Sequence, residues 1–281
     1  MVKITNDIIT AEIVELGAEI RKLTVDGEER FYNGDPKWWA NVAPVLFPIC
    51  GGLKDDKFTF EGKTYDLQKH GFAKLMEFEV EAQGKTFATF LLRDTPETLK
   101  SFPWKFEFRI TYTLVANRIE VKYDVKNLSN KTMYMSIGSH EAYACPEGIE
   151  DYDVIFERNE NLNAAIVDGK LIRRETRTVL KDSNILPLYE KYFEVDALVF
   201  TDLKSRFVTL RNRKTGKSTS VSFPDRDFLL LWTKPGAPYI CIEPWAGIPS
   251  FVDDTLDITA KTGINSVLPN THFVSVHNIY F

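Results

Sequence analysis

The chain has 281 residues, 44% of them hydrophobic and 13% aromatic, with 35 basic against 40 acidic side chains and a net charge of −5. That balance excludes a basic nucleic-acid surface and a long acidic tail, and the apolar content suffices for one large core. Cys50, Cys145 and Cys241 are odd in number and form no CxxC, no window approaches a membrane span, and Met1 to Ile13 has no apolar leader core, so we expect a cytoplasmic protein without disulfides, metal cluster or membrane association.

Taken in chain order, the elements follow a period of two. Phe58 and Phe60, then the turn Glu61-Gly62-Lys63, then Tyr65 and Leu67 predict a first strand pair. Asp94–Ser101 holds the one helix signal, a turn or two with Thr95 as cap and Pro96 at the first helical position. Trp104 to Leu114 and Ile119 to Val125 each alternate apolar with polar residues around a break at Ala116-Asn117, the clearest hairpin in the chain. Met133 to Ile137 is an apolar strand. Ala144 to Leu188 has the weakest pattern and is expected to be loop-rich. Phe207–Leu210 and Thr219–Phe223 flank a turn-rich stretch, Tyr239 to Ile242 reads as a buried strand, and His272 to Phe281 as the last. With no long amphipathic helix, no repeat and no linker, the expectation is an all-β fold, a large antiparallel β-sandwich with few short helices, in a single domain spanning 1–281.

Several motifs fail on spacing. Thr215-Gly216-Lys217-Ser218 lacks the upstream glycine of a phosphate loop. His140-Glu141 has Ala144 where a zinc protease needs its second histidine. His272 and His277 are five apart on one strand and therefore face opposite ways. Ser139 lacks the first glycine of a nucleophile elbow, because position 137 is Ile. No metal and no cofactor is expected.

Three segments survive: Lys69-His70-Gly71-Phe72-Ala73, Ile137-Gly138-Ser139-His140-Glu141-Ala142-Tyr143, and Cys241-Ile242-Glu243-Pro244-Trp245-Ala246-Gly247. A lone histidine beside glycine is commonly a hydrogen-bonded loop residue, and the bland reading of His140, after the apolar run Met133 to Ile137, is a residue that ends a strand. Glu243 is harder to dismiss, since a carboxylate directly after a buried apolar run is costly unless paired or functional.

In order along the chain, these segments resemble the aldose 1-epimerase (mutarotase) superfamily, in particular its LacX-like branch. Trp38-Trp39, Ala43-Pro44-Val45-Leu46-Phe47-Pro48, Leu53-Lys54-Asp55, Asp196-Ala197-Leu198-Val199-Phe200 and Leu231-Trp232-Thr233 extend the match to near the whole chain. The resemblance implies a galactose-mutarotase-like β-supersandwich that acts on a small-molecule sugar. It implies that His140 is a general acid, Glu243 a general base, His70 a substrate contact near the ring oxygen, and Asp196 the holder of a distal hydroxyl. The sequence departs from the branch at two positions. Gly51-Gly52 stands for Gly-Arg, and Lys74 for the arginine after Phe-Ala. Lys54 and Lys74 are the cations expected to compensate, Trp245 the expected sugar platform, and Gly52 is expected to leave that side of the cleft wide enough that Gly52→Arg would tighten hexose binding.

Mutarotation needs only proton movement. A base takes the C1 hydroxyl proton, an acid protonates the ring oxygen, the C1–O5 bond opens to an aldehyde, and closure on the other carbonyl face gives the other anomer. At ordinary pKa values Glu243 is ionised, and His140 is partly protonated, the more so beside a carboxylate. The expected activity is on simple hexoses with loose binding. The alternatives are a non-catalytic sugar-binding protein on the same fold and a hexose-6-phosphate 1-epimerase. A glycoside hydrolase ranks lower, since it needs two placed carboxylates and only Glu243 has a persuasive context.

Overall fold

The computed structural model describes residues 1–281. Fourteen strands form one sheet. Its path runs Ile137–Gly138, Tyr239–Ala246, Phe228–Trp232, Leu198–Phe200, Tyr152–Asp168, Phe207–Asn212, Ser218–Ser222, His272–Tyr280, Arg118–Asn127, Phe106–Val115, Phe87–Arg93 and Glu79–Gln83. Glu141–Ala144 also pairs with Tyr239–Ala246, and Leu171–Pro187 with Tyr152–Asp168. All these pairings are antiparallel. A smaller four-stranded sheet comprises Val2–Thr5, Ile9–Ile13, Ile20–Val25 and Glu28–Glu29.

The large sheet doubles back into a sandwich. Tyr239–Ala246 and His272–Tyr280 are six places apart along the path, which would separate them by roughly 29 Å in a flat sheet at about 4.8 Å per strand. Yet Glu141, on the neighbour of the first, hydrogen-bonds His277 on the second at 2.8 Å. Alternation explains what fills the space between. Along Phe106–Val115 and Arg118–Asn127 every second residue is buried, and Phe47, Phe72, Phe102, Phe106 and Phe108 pack ring against ring in the core.

The hairpin expected around Ala116-Asn117 is present, with Ala116 at φ 50° in the turn. The helix is one turn, Thr98–Ser101, and the Thr98 amide donates to Thr95 Oγ1 in front of it. The loop-rich expectation for Ala144 to Leu188 is corrected. That stretch holds the two longest strands of the protein, Tyr152–Asp168 and Leu171–Pro187, seventeen residues each. Their pairing shifts register at four places. Each extra residue reverses which side faces inward, so no steady alternation reaches the sequence.

Candidate active site

The strand Tyr239–Ala246 sets the geometry. Ile240, Ile242 and Ala246 belong to the main core, whereas Tyr239, Cys241 and Trp245 belong to clusters on its other face. By the same alternation Glu243 points away from the core, and it lines a cavity of about 440 Å³. Gly138 pairs with Trp245 and Glu141 with Ile242. The same register carried between them puts His140 opposite Glu243, on the same face. His140 Nε2 and Glu243 Oε2 are 3.4 Å apart, and the two side chains are 11% and 2% exposed. His140 Nδ1 and Glu243 Oε2 have no hydrogen-bond partner in the protein. Buried polar atoms are rarely left so, and two of them beside a cavity invite a polar ligand.

His70 comes from the 69–73 segment. Its backbone sits in the left-handed region at φ 68°, followed by Gly71 at φ 65°, whose missing side chain lets the chain run against the Phe47 carbonyl. The Gly51 amide donates to His70 Nδ1 at 3.2 Å, leaving Nε2 to carry the proton of the neutral ring. The His70 ring meets His140 and Trp245 edge-on, with centroids 5.9 and 5.7 Å apart. The structure thus gathers His70, His140, Glu243, Asp196, Lys74 and Trp245 in one cavity, although they span 173 positions of chain between His70 and Glu243. The Asp196 carboxylate accepts from the Ala197 amide at 2.8 Å.

Two expected contacts are elsewhere. Lys54 is not in the cavity wall; its ammonium donates to the Asp254 carbonyl at 3.3 Å. Gly52 does not widen the cleft. A Cβ at that position would lie 2.6 Å from the Lys170 carbonyl oxygen and 2.8 Å from its Cβ and Cγ, because the tip of the long hairpin docks there. The Gly52 amide donates to the Lys170 carbonyl at 3.2 Å. The tip brings Gly169, Lys170 and Leu171 into the cavity wall, and Lys170 pairs with Asp56.

Other lining residues carried no assigned role in the sequence. Trp39 lies against His140 with centroids 4.8 Å apart at 31°, and Trp232 meets it at 5.6 Å edge-on. Both are partly exposed, whereas Trp245 is 2% exposed and donates through Nε1 to the Ser139 carbonyl at 2.9 Å. Trp39 and Trp232 therefore offer more open ring surface than Trp245, which acts as a wall. Their motifs were visible, but nothing in them marked which aromatic would face the cavity. Lys234, in the loop after Phe228–Trp232, also lines it.

Burial governs the protonation of the pair. It pushes His140 down to about 3, helped by the positive charges of Lys69 and Lys74. It pushes Glu243 well above the ordinary carboxylate range, with Glu141 and Asp196 adding to the rise and Lys69 opposing it. This corrects the expectation of an ionised Glu243 beside a protonated His140. Burial thus favours the neutral forms of both groups, a carboxyl on Glu243 beside an uncharged His140 ring, because the low-dielectric surroundings penalise both charges. The donor atoms of His140, Cys241 and Glu243 lie within 4.8 Å of one another. Burial pushes the Cys241 thiol well above its normal range, and the charges of Glu243 and Glu141 add to the rise.

The chain belongs to the aldose 1-epimerase family, whose model matches residues 1–264. It is 33% identical over 283 aligned positions to the chromosomal protein LacX of Lactococcus lactis subsp. lactis, covering 95% of each chain. Among solved structures it resembles a galactose mutarotase related enzyme from Lactobacillus acidophilus, with TM-score 0.94 and 34% identity over 99% of this chain and 96% of that one. The galactose 1-epimerase of Lactobacillus acidophilus NCFM shares the fold at TM-score 0.72, with 13% identity over 99% and 92% of the two chains. No helix is long and apolar enough to cross a membrane.

Proposed function

We propose that this protein interconverts the α and β anomers of an aldohexose by opening and reclosing the ring, with Glu243 taking the C1 hydroxyl proton and His140 supplying a proton to the ring oxygen. The observation that carries this reading is the strand register that sets His140 against Glu243 at 3.4 Å in a cavity of about 440 Å³. That volume falls within the roughly 300–1,000 Å³ of small-molecule sites. Trp39 and Trp232 supply flat apolar surface for a sugar face, and Asp196 and His70 supply polar anchors. The resting proton on Glu243 is compatible with its role as base. Sugar hydroxyls donating to the carboxylate favour its charged form and drive the proton onto His140. The test is NMR exchange between anomers of glucose and galactose, with and without protein. Exchange no faster than in buffer for every aldose tried removes the proposal, and tight binding without exchange leaves a sugar-binding protein.

The raised Glu243 pKa fixes a sign. The pair works with one proton, resting on Glu243 and passed to His140 when the sugar binds. As pH rises through the raised Glu243 pKa that proton is lost while His140 is neutral, so no acid remains and kcat/KM must drop on the alkaline side. On the acid side a second proton is added only near the lowered His140 pKa of about 3. A pH profile of catalysed exchange that falls instead as pH drops through the ordinary carboxylate range contradicts this protonation of the pair.

A second reading is favoured by the charge of the cavity wall. Lys69, Lys74, Lys170 and Lys234 line it against two carboxylates, Asp196 and Glu243, in a chain of net charge −5. Lys170 pairs with Asp56; Lys69, Lys74 and Lys234 have no carboxylate within 4.0 Å. Burial and the charge of Lys69 lower the pKa of Lys74. Unpaired like charges at a cavity suit a hexose carrying a phosphate, which has about −1.5 to −2 charges at pH 7. Bound there, it would cancel the lysine field that depresses His140. On this reading, Lys69→Met with Lys74→Met weakens glucose 6-phosphate binding at least about tenfold, the equivalent of ~1.4 kcal/mol, and leaves glucose binding within about twofold, as read by calorimetric titration. Equal losses for both sugars, or none, remove the phosphate reading while leaving the anomer-exchange proposal standing.

A further inference from the structure

Behind the His140–Glu243 pair, on the core face of the same strands, lies a buried chain of charged groups. Arg226 has no exposed surface. It comes from the Pro224-Asp225-Arg226-Asp227 turn between Ser218–Ser222 and Phe228–Trp232. Its guanidinium donates to the Pro244 carbonyl at 2.8 Å, Ser139 Oγ at 3.2 Å and Ser275 Oγ at 2.9 Å, and contacts His277 Nδ1 at 3.0 Å. It also lies over the Tyr123 ring at 5.0 Å. With Nδ1 of His277 accepting from Arg226, Nε2 carries the proton and donates to Glu141 Oε1 at 2.8 Å. Burial raises the Glu141 carboxyl, but His277 and Arg226 outweigh it and hold the group below its usual range, ionised. Burial holds His277 neutral. The chain is thus a guanidinium and a carboxylate joined through a neutral imidazole.

Its attachment points are specific. Ser139 and Glu141 flank His140, and Pro244 follows Glu243. Pro244 has no N–H to offer the facing strand, and regular strand structure lapses at Ser139-His140 between Ile137–Gly138 and Glu141–Ala144. The Ser139 carbonyl is satisfied by the Trp245 indole instead, and the Pro244 carbonyl and Ser139 hydroxyl both accept from Arg226 Nη1.

We propose that Arg226, with His277 and Glu141, is a positioning set for the His140–Glu243 pair, clamping the two strands together at the point where Pro244 interrupts their ladder. The inference rests on the pair being the acid and base proposed above. None of the three residues lines the cavity; each acts through the backbone or charge beside one that does. Loss of the clamp lets His140 and Glu243 drift, and misplacement of about 1 Å costs up to about 10²-fold in rate.

The charge of Glu141 gives a readout that a purely structural role would not move. Glu243 is faced by Lys69, Asp196 and His140 from the cavity side and by Glu141 from behind. Glu141 itself is faced by His277, Arg226 and Ser139, and its charge is felt at Tyr112, Tyr123, Tyr143 and Cys241. The Glu141 carboxylate raises the Glu243 pKa, so Glu141→Gln shifts the alkaline limb of the rate profile to lower pH.

The experiment compares wild type with Arg226→Lys, Ser139→Ala and Glu141→Gln, Ser139→Ala being the mild change should the others fold poorly. Anomer exchange gives kcat and KM, and the four ¹⁵N-labelled histidines are titrated by NMR, with His140→Asn assigning the His140 signal. We expect kcat to fall about tenfold or more in Arg226→Lys and severalfold in Ser139→Ala, with KM within about twofold, and the His140 signals to shift in both. Unchanged kcat and unchanged His140 signals in a folded Ser139→Ala or Arg226→Lys protein overturn the inference. If wild type exchanges no sugar yet the His140 signals respond to Arg226→Lys, the clamp stands and the epimerase reading falls.

Discussion

Glu243→Gln will slow catalysed anomer exchange by at least about 10²-fold, as will His140→Asn, each leaving the protein folded. Glutamine keeps the shape of the side chain and most of its contacts, but its amide cannot take a proton at neutral pH. Asparagine cannot carry the positive charge that an acid must hold before donating. The spontaneous exchange of the sugar in water must be subtracted, because mutarotation proceeds without enzyme. The structure adds a second expectation for Glu243→Gln. A carboxylate that is 2% exposed with an unpartnered oxygen is a liability to the fold, so the neutral amide should leave the thermal midpoint unchanged or raise it. Activity lost together with stability would point to a structural residue. Activity lost at constant or higher stability is the signature of a group kept for its chemistry. Near-normal exchange by either variant, with contamination excluded, sinks the role of that residue.

Gly52→Arg will destabilise the protein, not tighten its hold on sugar. The new Cβ falls 2.6 Å from the Lys170 carbonyl oxygen, the atom that the Gly52 amide itself bonds. Neighbouring bonds hold the same seam, from the Ser250 amide to the Gly52 carbonyl at 2.9 Å and from the Ile172 amide to the Ser250 carbonyl at 3.1 Å. A backbone obstacle cannot swing aside like a side chain, so the hairpin tip must lift. Overpacking of this kind costs about 1–3 kcal/mol, and each seam bond lost adds about 0.5–1.5 kcal/mol. For a chain of this size the thermal midpoint should fall by at least about 2 °C. Gly52→Ala should move it in the same direction, because the conflict begins at Cβ. Scanning calorimetry with calorimetric sugar titration decides the matter. An arginine variant with an unchanged midpoint and tighter glucose binding would mean that the tip yields freely.

The fold was legible wherever one face of a strand is wet. The Trp104 to Leu114 and Ile119 to Val125 runs show it, since strict alternation there records a single buried side. It was illegible between Ala144 and Leu188, where repeated register shifts scramble the alternation of two long strands. The gathering of the candidate site was legible through three short segments in a family order, which single out His70, His140 and Glu243, and these three line one cavity. Their protonation was not, because the expected ionised Glu243 rested on exposed reference values and the decisive quantity is burial. Lys170 was hidden by the same irregular hairpin that hid its strands. Arg226 was hidden by its neighbours, for a Pro-Asp-Arg-Asp turn reads as exposed and nothing local says that its guanidinium is threaded into the core. Lys54 shows the opposite error, a cation credited for its place in a motif while its side chain reaches the Asp254 carbonyl.

The hairpin formed by Tyr152–Asp168 and Leu171–Pro187 has a consequence for how such a cavity diversifies. Its tip closes one side of the cavity, and the space it takes is the space that any side chain at position 52 would need. In this protein the ribbon and a side chain at position 52 compete for one space, and the ribbon holds it. The tip is tied to the strand carrying Glu243, since Ile172 shares a buried cluster with Leu230 and Trp245. A change in the length or composition of the tip therefore redraws one wall of the cavity and reaches the strand of Glu243 through that cluster.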